Sequence, residues 1–195
     1  MYNNTSDVRQ LNYFLEHSEI KKPIVLVGSA GSGKSTVGRR VAKKLKLQFY
    51  DSDKMIEERE GLSVVEIHQI HGVEYFTRRE KEVIEEVLST YGTVILSTGS
   101  NSFIDDEMHD MIRSNAITIW LYADINVLAE RISRRNSRPG FTPENTEDLL
   151  KEVIEKHYPI YGDVDISVES HEHDIYKVVD TVILKLKQYF ENSLI

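Results

Sequence analysis

Residues 28–35 read Gly-Ser-Ala-Gly-Ser-Gly-Lys-Ser, and they constrain the fold of this chain more than any other stretch. The apolar run Ile24, Val25, Leu26, Val27 before them reads as a buried parallel strand, and 36–45 after them has helical periodicity. A strand, a glycine-rich turn and a helix in that order form a phosphate-binding loop. Gly28, Gly31 and Gly33 allow positive φ, so several N–H groups turn inward at a helix N-terminus and make a nest for an anion. Lys34 adds a mobile charge for β- and γ-phosphates, and Ser35 offers a hydroxyl to the Mg2+ that travels with ATP. Gly28, Ala30, Gly31, Ser32, Gly33, Lys34, Ser35 and Thr36 are therefore the candidate nucleotide contacts. The expected cofactors are ATP and Mg2+.

The rest of the chain bounds the setting of that loop. A length of 195 residues with 40% hydrophobic content suits one α/β domain, with 1–22 as an N-terminal extension and 23–195 as the domain proper. Val8, Leu11, Phe14 and Leu15 share a helical face in the extension. The net charge of −8, with basic and acidic residues interspersed, argues against nucleic acid as a partner. No apolar stretch approaches the ~20 residues that span a bilayer, and no signal peptide opens the chain, so neither a membrane nor an export route is expected. The chain has no cysteine, which removes disulfides and thiolate chemistry and fits the cytoplasm. A monomer or weak homo-oligomer is expected.

Phe49, Tyr50 and Asp51 read as a second strand ending in Asp51-Ser52-Asp53, which places two carboxylates where open parallel sheets hold their ligands. Residues 54–90 read as helices. The runs 93–96, 116–121 and 165–168 supply further strands, each followed by helix-forming sequence. Residues 131–141 are basic, with Asn136-Ser137 and Pro139-Gly140 giving loop character, before a helix over 143–158 and a closing helix over 174–190. His68 and His71, one helical turn apart, read as core or surface residues, because no third metal ligand accompanies them. The run His171-Glu172-His173-Asp174 reads as a solvated loop into the last helix.

The segments GSAGSGKSTVGR, FYDSD, MIEEREGLSVVEI, GVEYFTRRE, LSTG, LAERISRRNSRPGF and KHYPIY, in this order and spacing, resemble the shikimate kinase family from about residue 22 onward. The resemblance implies a three-layer α/β/α phosphate-loop fold: a parallel sheet of roughly five strands, a helical substrate-binding insertion and a short lid. It implies an ATP-dependent kinase acting on a hydroxyl of shikimate or a related hydroxylated small molecule. By the resemblance, Asp51 holds Mg2+ through water, Asp53 binds and helps deprotonate the acceptor hydroxyl, Arg138 reaches the transferring phosphate, and Arg134 packs on adenine.

The family grips the shikimate carboxylate mainly with two arginines, and Thr77 and His157 stand at their positions here. The glycine triplet at the substrate reads Gly99-Ser100-Asn101. Each charge-assisted bond to a carboxylate contributes about 1.5–3 kcal/mol, so this change weighs on acceptor choice. One expectation is a neutral or differently charged polyol held by Thr77, Ser100 and Asn101. The other is a carboxylate clamp restored by Arg78, Arg79 or Lys156, although one helical step turns a side chain by about 100°. A homologue that binds nucleotide without chemistry is a third possibility, against which Lys34, Asp51, Asp53 and Arg138 all speak.

Overall fold

The structure is a computed structural model that describes residues 4–18, 21–134, 145–171 and 174–193. After helix α1 (Asn4–His17), the chain runs β1 (Ile24–Val27), α2 (Lys34–Leu45), β2 (Phe49–Asp51) and the helices α3 (Ser52–Glu60), α4 (Val64–His71) and α5 (Val73–Thr90). Then come β3 (Ile95–Ser97), α6 (Asp106–Asn115), β4 (Ile117–Tyr122), α7 (Ile125–Ser133), α8 (Thr146–His157), a 3-10 turn (Ile160–Gly162), β5 (Ile166–Glu169) and α9 (Ile175–Ser193). The five strands form one parallel sheet in the order β2-β3-β1-β4-β5, which makes β1 central.

The alternation of side chains along a strand divides the core into two layers. Ile24 and Leu26 of β1 point to the side covered by α1, α2 and α9, where Val37, Val41, Val182, Leu186 and Phe190 meet them. Val25 and Val27 point to the side covered by α5 and α6, against Ile84, Val87, Met108 and Ile112. This is the expected α/β/α sandwich. Leu11 and Leu15 of α1 lie inside the first layer, and Asp7 pairs with Lys187 of α9 at 3.0 Å. The insertion α3, α4 and α5 has a small core of its own around Ile56, Ile67, Phe76 and Val83.

Local chemistry sets where the helices begin. Asp51 ends β2 and caps α3, its carboxylate accepting from the Lys54 N–H at 3.3 Å. Ser63 and Glu66 form a reciprocal capping box at α4. Two differences from the expected boundaries bear on the phosphate loop and the basic segment after it. The helix after the phosphate loop starts at Lys34 instead of 36, and α7 continues through Ser133, so Arg131 is helical and not part of a loop. Leu128 and Ile132 are buried one turn apart and carry the helix that far. Arg138 lies outside the described residues.

Candidate active site

The C-terminal ends of β1, β2 and β3 open into a cleft of about 430 Å³. The loop forms its floor. Gly28 takes φ 141°, and a Cβ there would stand 2.3 Å from the Leu121 carbonyl oxygen, so only glycine lets the loop leave β1 along β4. Gly31 and Gly33 also have positive φ, at 80° and 95°. Gly33 is the N-cap of α2, and no side chain caps that helix, which leaves its first N–H groups directed at the cleft. Lys34 is buried, and its Nζ donates to the Gly28 carbonyl at 2.6 Å and the Ser29 carbonyl at 3.1 Å. The Ser32 hydroxyl is buried and finds no hydrogen-bond partner among the described residues.

Oxygen donors gather at one edge. Ser35 Oγ lies 3.2 Å from Ser97 Oγ, and Asp51 is the register partner of Ser97 in the β2–β3 pair. Beyond them, Asp53, Thr98, Gly99 and Ser100 line the same cleft. Of the residues singled out in the sequence, the cleft brings together Gly31, Gly33, Lys34, Ser35, Thr36, Asp53, Gly99, Ser100 and Arg134. Gly28, Ala30, Ser32 and Asp51 are not part of this lining. Thr77 and His157 are half-buried and do not line it.

Burial, with Lys156 next to it, pushes His157 below its ordinary pKa, so it is neutral at pH 7. Lys156 is paired with Glu152 at 2.5 Å. Arg79 is held by Glu60 at 2.9 Å, Glu82 at 2.8 Å and the Tyr75 hydroxyl at 3.1 Å. Arg78 is exposed and lies over the Tyr75 ring at 5.3 Å. His68 packs at a tilt against Phe76, and His71 stacks on Tyr75.

Comparison with known proteins agrees with this geometry. The sequence profile described as shikimate kinase matches residues 30–187. The chain is 38% identical over 168 residues to the shikimate kinase of Rhodopseudomonas palustris, covering 86% of this chain and 82% of that one. It is 32% identical over 187 residues to that of Bartonella quintana, covering 96% and 89%. The chain belongs to the shikimate kinase family. Among solved structures, the Acinetobacter baumannii shikimate kinase in complex with shikimate superposes with a TM-score of 0.83 at 26% identity, covering 94% of this chain and 99% of that one. The Aquifex aeolicus shikimate kinase gives 0.72 at 31% identity, covering 88% and 98%. Like the family, this chain is an ATP-dependent phosphotransferase with an alcohol acceptor.

Several residues that shape this shikimate kinase fold's cleft escaped the sequence reading. Arg131 lines it from α7, donating to the Gly31 carbonyl at 3.3 Å, Ser170 Oγ at 2.8 Å and the His171 carbonyl at 2.6 Å. Arg134, one turn later and already singled out in the sequence, also borders the cleft, but it is exposed and paired with Glu130. Arg40 lines the cleft one turn after Thr36 and donates to its carbonyl at 3.2 Å. The i, i+4 spacing from Thr36 was the available signal.

Glu80 of α5 is buried, only 3% exposed. Burial first, and the charge of Asp53 second, push its carboxyl up to about 6. Its signal in the sequence was an acid on the apolar stripe formed by Phe76, Val83, Ile84 and Val87.

Proposed function

We propose that this protein transfers the γ-phosphoryl group of ATP to a hydroxyl of shikimate, or of a closely related hydroxylated metabolite. The observation that carries the reading is a single cleft, in a chain of the shikimate kinase family, that joins a phosphate loop to the carboxylate of Asp53 and the wall at Gly99 and Ser100. Donor cradle and acceptor carboxylate share one space, as in-line transfer requires.

The donor side has Lys34 and the N–H groups at the start of α2 to neutralise charge on the transferring group. The all-oxygen set at Ser35 and Asp51 fits Mg2+, which prefers such ligands and keeps several waters. When bound there, the ion supplies charge neutralisation for the β- and γ-phosphates. Asp53 orients the acceptor hydroxyl and receives its proton as the oxygen bonds to phosphorus and ADP leaves. Arg131, fixed against the loop, and Arg134 at the rim border the nucleotide side, and the first is the better-held guanidinium for a base to stack on. Arg138 is assigned to the transferring phosphate on the resemblance alone.

A second reading keeps the chemistry and changes the acceptor. Thr77 and a neutral His157 stand where the family places arginines, and Arg79 is already bound to two glutamates, which makes an acceptor without a carboxylate the alternative to test. Calorimetric titration of the protein, loaded with a nonhydrolysable ATP analogue, with shikimate and with its neutral methyl ester separates the two. Tighter binding of shikimate supports the first reading, and equal or tighter binding of the ester supports the second.

A further inference from the structure

Glu80 is a buried carboxylate that forms no ion pair with any lysine or arginine among the described residues. Such a group is costly, and a core of the same shape could be filled by an apolar side chain. Its contacts show what it holds. Oε1 accepts from the Gly99 N–H at 2.8 Å and from Ser52 Oγ at 3.0 Å, while Ser52 Oγ also lies 3.0 Å from the Gly99 nitrogen. Ser52 is fully buried between Asp51 and Asp53 at the start of α3. Gly99 and Ser100 line the same cleft as Asp53.

The wall has further supports. Ser102, whose side chain also hydrogen-bonds to the Glu80 carboxylate, has its Oγ 3.2 Å from the Gly99 carbonyl, and the buried Tyr161 hydroxyl donates to the Ser100 carbonyl at 3.1 Å. Gly99 itself is shaped by the carboxylate: a Cβ there would stand 2.3 Å from Glu80 Oε1. We infer that Glu80 is a positioning residue for the acceptor, joining the turn that carries Asp53 to the wall at Gly99 and Ser100 through one three-centred set of hydrogen bonds. This rests on the reading of Asp53, Gly99 and Ser100 as the acceptor side. Thr77 lies one turn before Glu80 on the same helix, so the segment that replaces a family arginine is anchored through the same carboxylate.

The test is steady-state kinetics on the full chain, varying shikimate and ATP separately, for Glu80→Ala, Glu80→Gln and Ser52→Ala. Loss of the Gly99 and Ser52 bonds in Glu80→Ala lowers kcat/KM for the acceptor about 10- to 100-fold and leaves KM for ATP within about 2-fold. Glu80→Gln keeps a carbonyl that accepts from the Gly99 N–H and restores most of the loss. A uniform loss for both substrates, or no rescue by glutamine, overturns the inference. Should Glu80→Ala fail to fold, Ser52→Ala carries the same test through a smaller loss confined to the acceptor, and unchanged acceptor kinetics in it count against the inference. Amide exchange gives a readout apart from turnover: the Gly99 N–H, left with Ser52 Oγ as its acceptor, exchanges faster in Glu80→Ala than in wild type while the N–H groups of residues 31–36 keep their protection. Wild-type protein that turns over no acceptor overturns both the inference and the reading beneath it, whereas wild-type turnover with unchanged Glu80→Ala kinetics overturns the inference alone.

Discussion

Substituting Glu80 by glutamine should make the protein more stable at pH 8 and leave it unchanged at pH 4. The carboxyl is pushed from an ordinary 4.5 up to about 6, chiefly by burial and then by the charge of Asp53. At about 1.4 kcal/mol per unit, keeping it ionised in the folded state costs about 2 kcal/mol. The sign follows from proton binding. Between 4.5 and about 6 the folded chain holds this proton more tightly than the unfolded chain, so stability falls as pH rises through that window, and the whole penalty is present above it. Glutamine has no such penalty. With a urea m-value of about 2 kcal/mol/M, the midpoint of Glu80→Gln should lie about 1 M above wild type at pH 8 and coincide with it near pH 4. Urea titrations followed by circular dichroism at both pH values read this directly. Coincident midpoints at pH 8, or the same gap at both pH values, would falsify the account of Glu80 as an ionised, burial-strained group. A stabilised variant with equal or slower acceptor turnover is the pattern expected where a functional site holds a costly charge.

Other parts of the molecule make separate predictions. Asp53→Asn should lower kcat by about 10²- to 10⁴-fold with little change in KM for ATP, measured by coupled ADP release; retained kcat would remove Asp53 from the acceptor site. Lys34→Met should lower kcat at least about 100-fold while the melting temperature holds or rises, because a buried ammonium is lost with its bonds to loop carbonyls. Arg113→Ala breaks bonds to Asp163, Asp165 and Thr118 at the N-terminal ends of β4 and β5, away from the cleft, and should cost about 1–2 kcal/mol in urea titration with kcat/KM unchanged. Leu11→Ala should cost about 2–5 kcal/mol, since this side chain of α1 is fully buried against α9; a smaller effect would show that α1 adds little to the core.

The parts of the fold that were legible in the sequence are those set by local rules. The phosphate loop needs glycine where its backbone turns and lysine and serine where its helix begins, so eight consecutive residues carry the whole signal. The strands showed as short apolar runs because a parallel sheet is buried on both faces. Asp51 and Asp53 were findable because a strand end is a fixed place in such a sheet. Glu80 and Arg131 were not, since both sit in helices whose phase decides which side chain faces inward. Reading 131–141 as a basic loop hid the fact that Arg131 lies on the same helical turn as the buried Ile132 and reaches Ser170, which is distant in sequence. Likewise, that α1 would bury Leu11 against α9 depends on a contact across nearly the full length of the chain. Thr77 could be named from the sequence, yet only the packing shows that Arg79 near it is occupied by Glu60 and Glu82.

The central claim is phosphoryl transfer from ATP to a hydroxyl of shikimate, and the most direct measurement is product analysis. Incubation with Mg-ATP and shikimate, followed by phosphorus NMR and mass spectrometry, should show ADP and a phosphorylated shikimate formed in equal amounts, with neither above background in Asp53→Asn. ATP bound tightly but no ADP formed above background with shikimate present would contradict the claim.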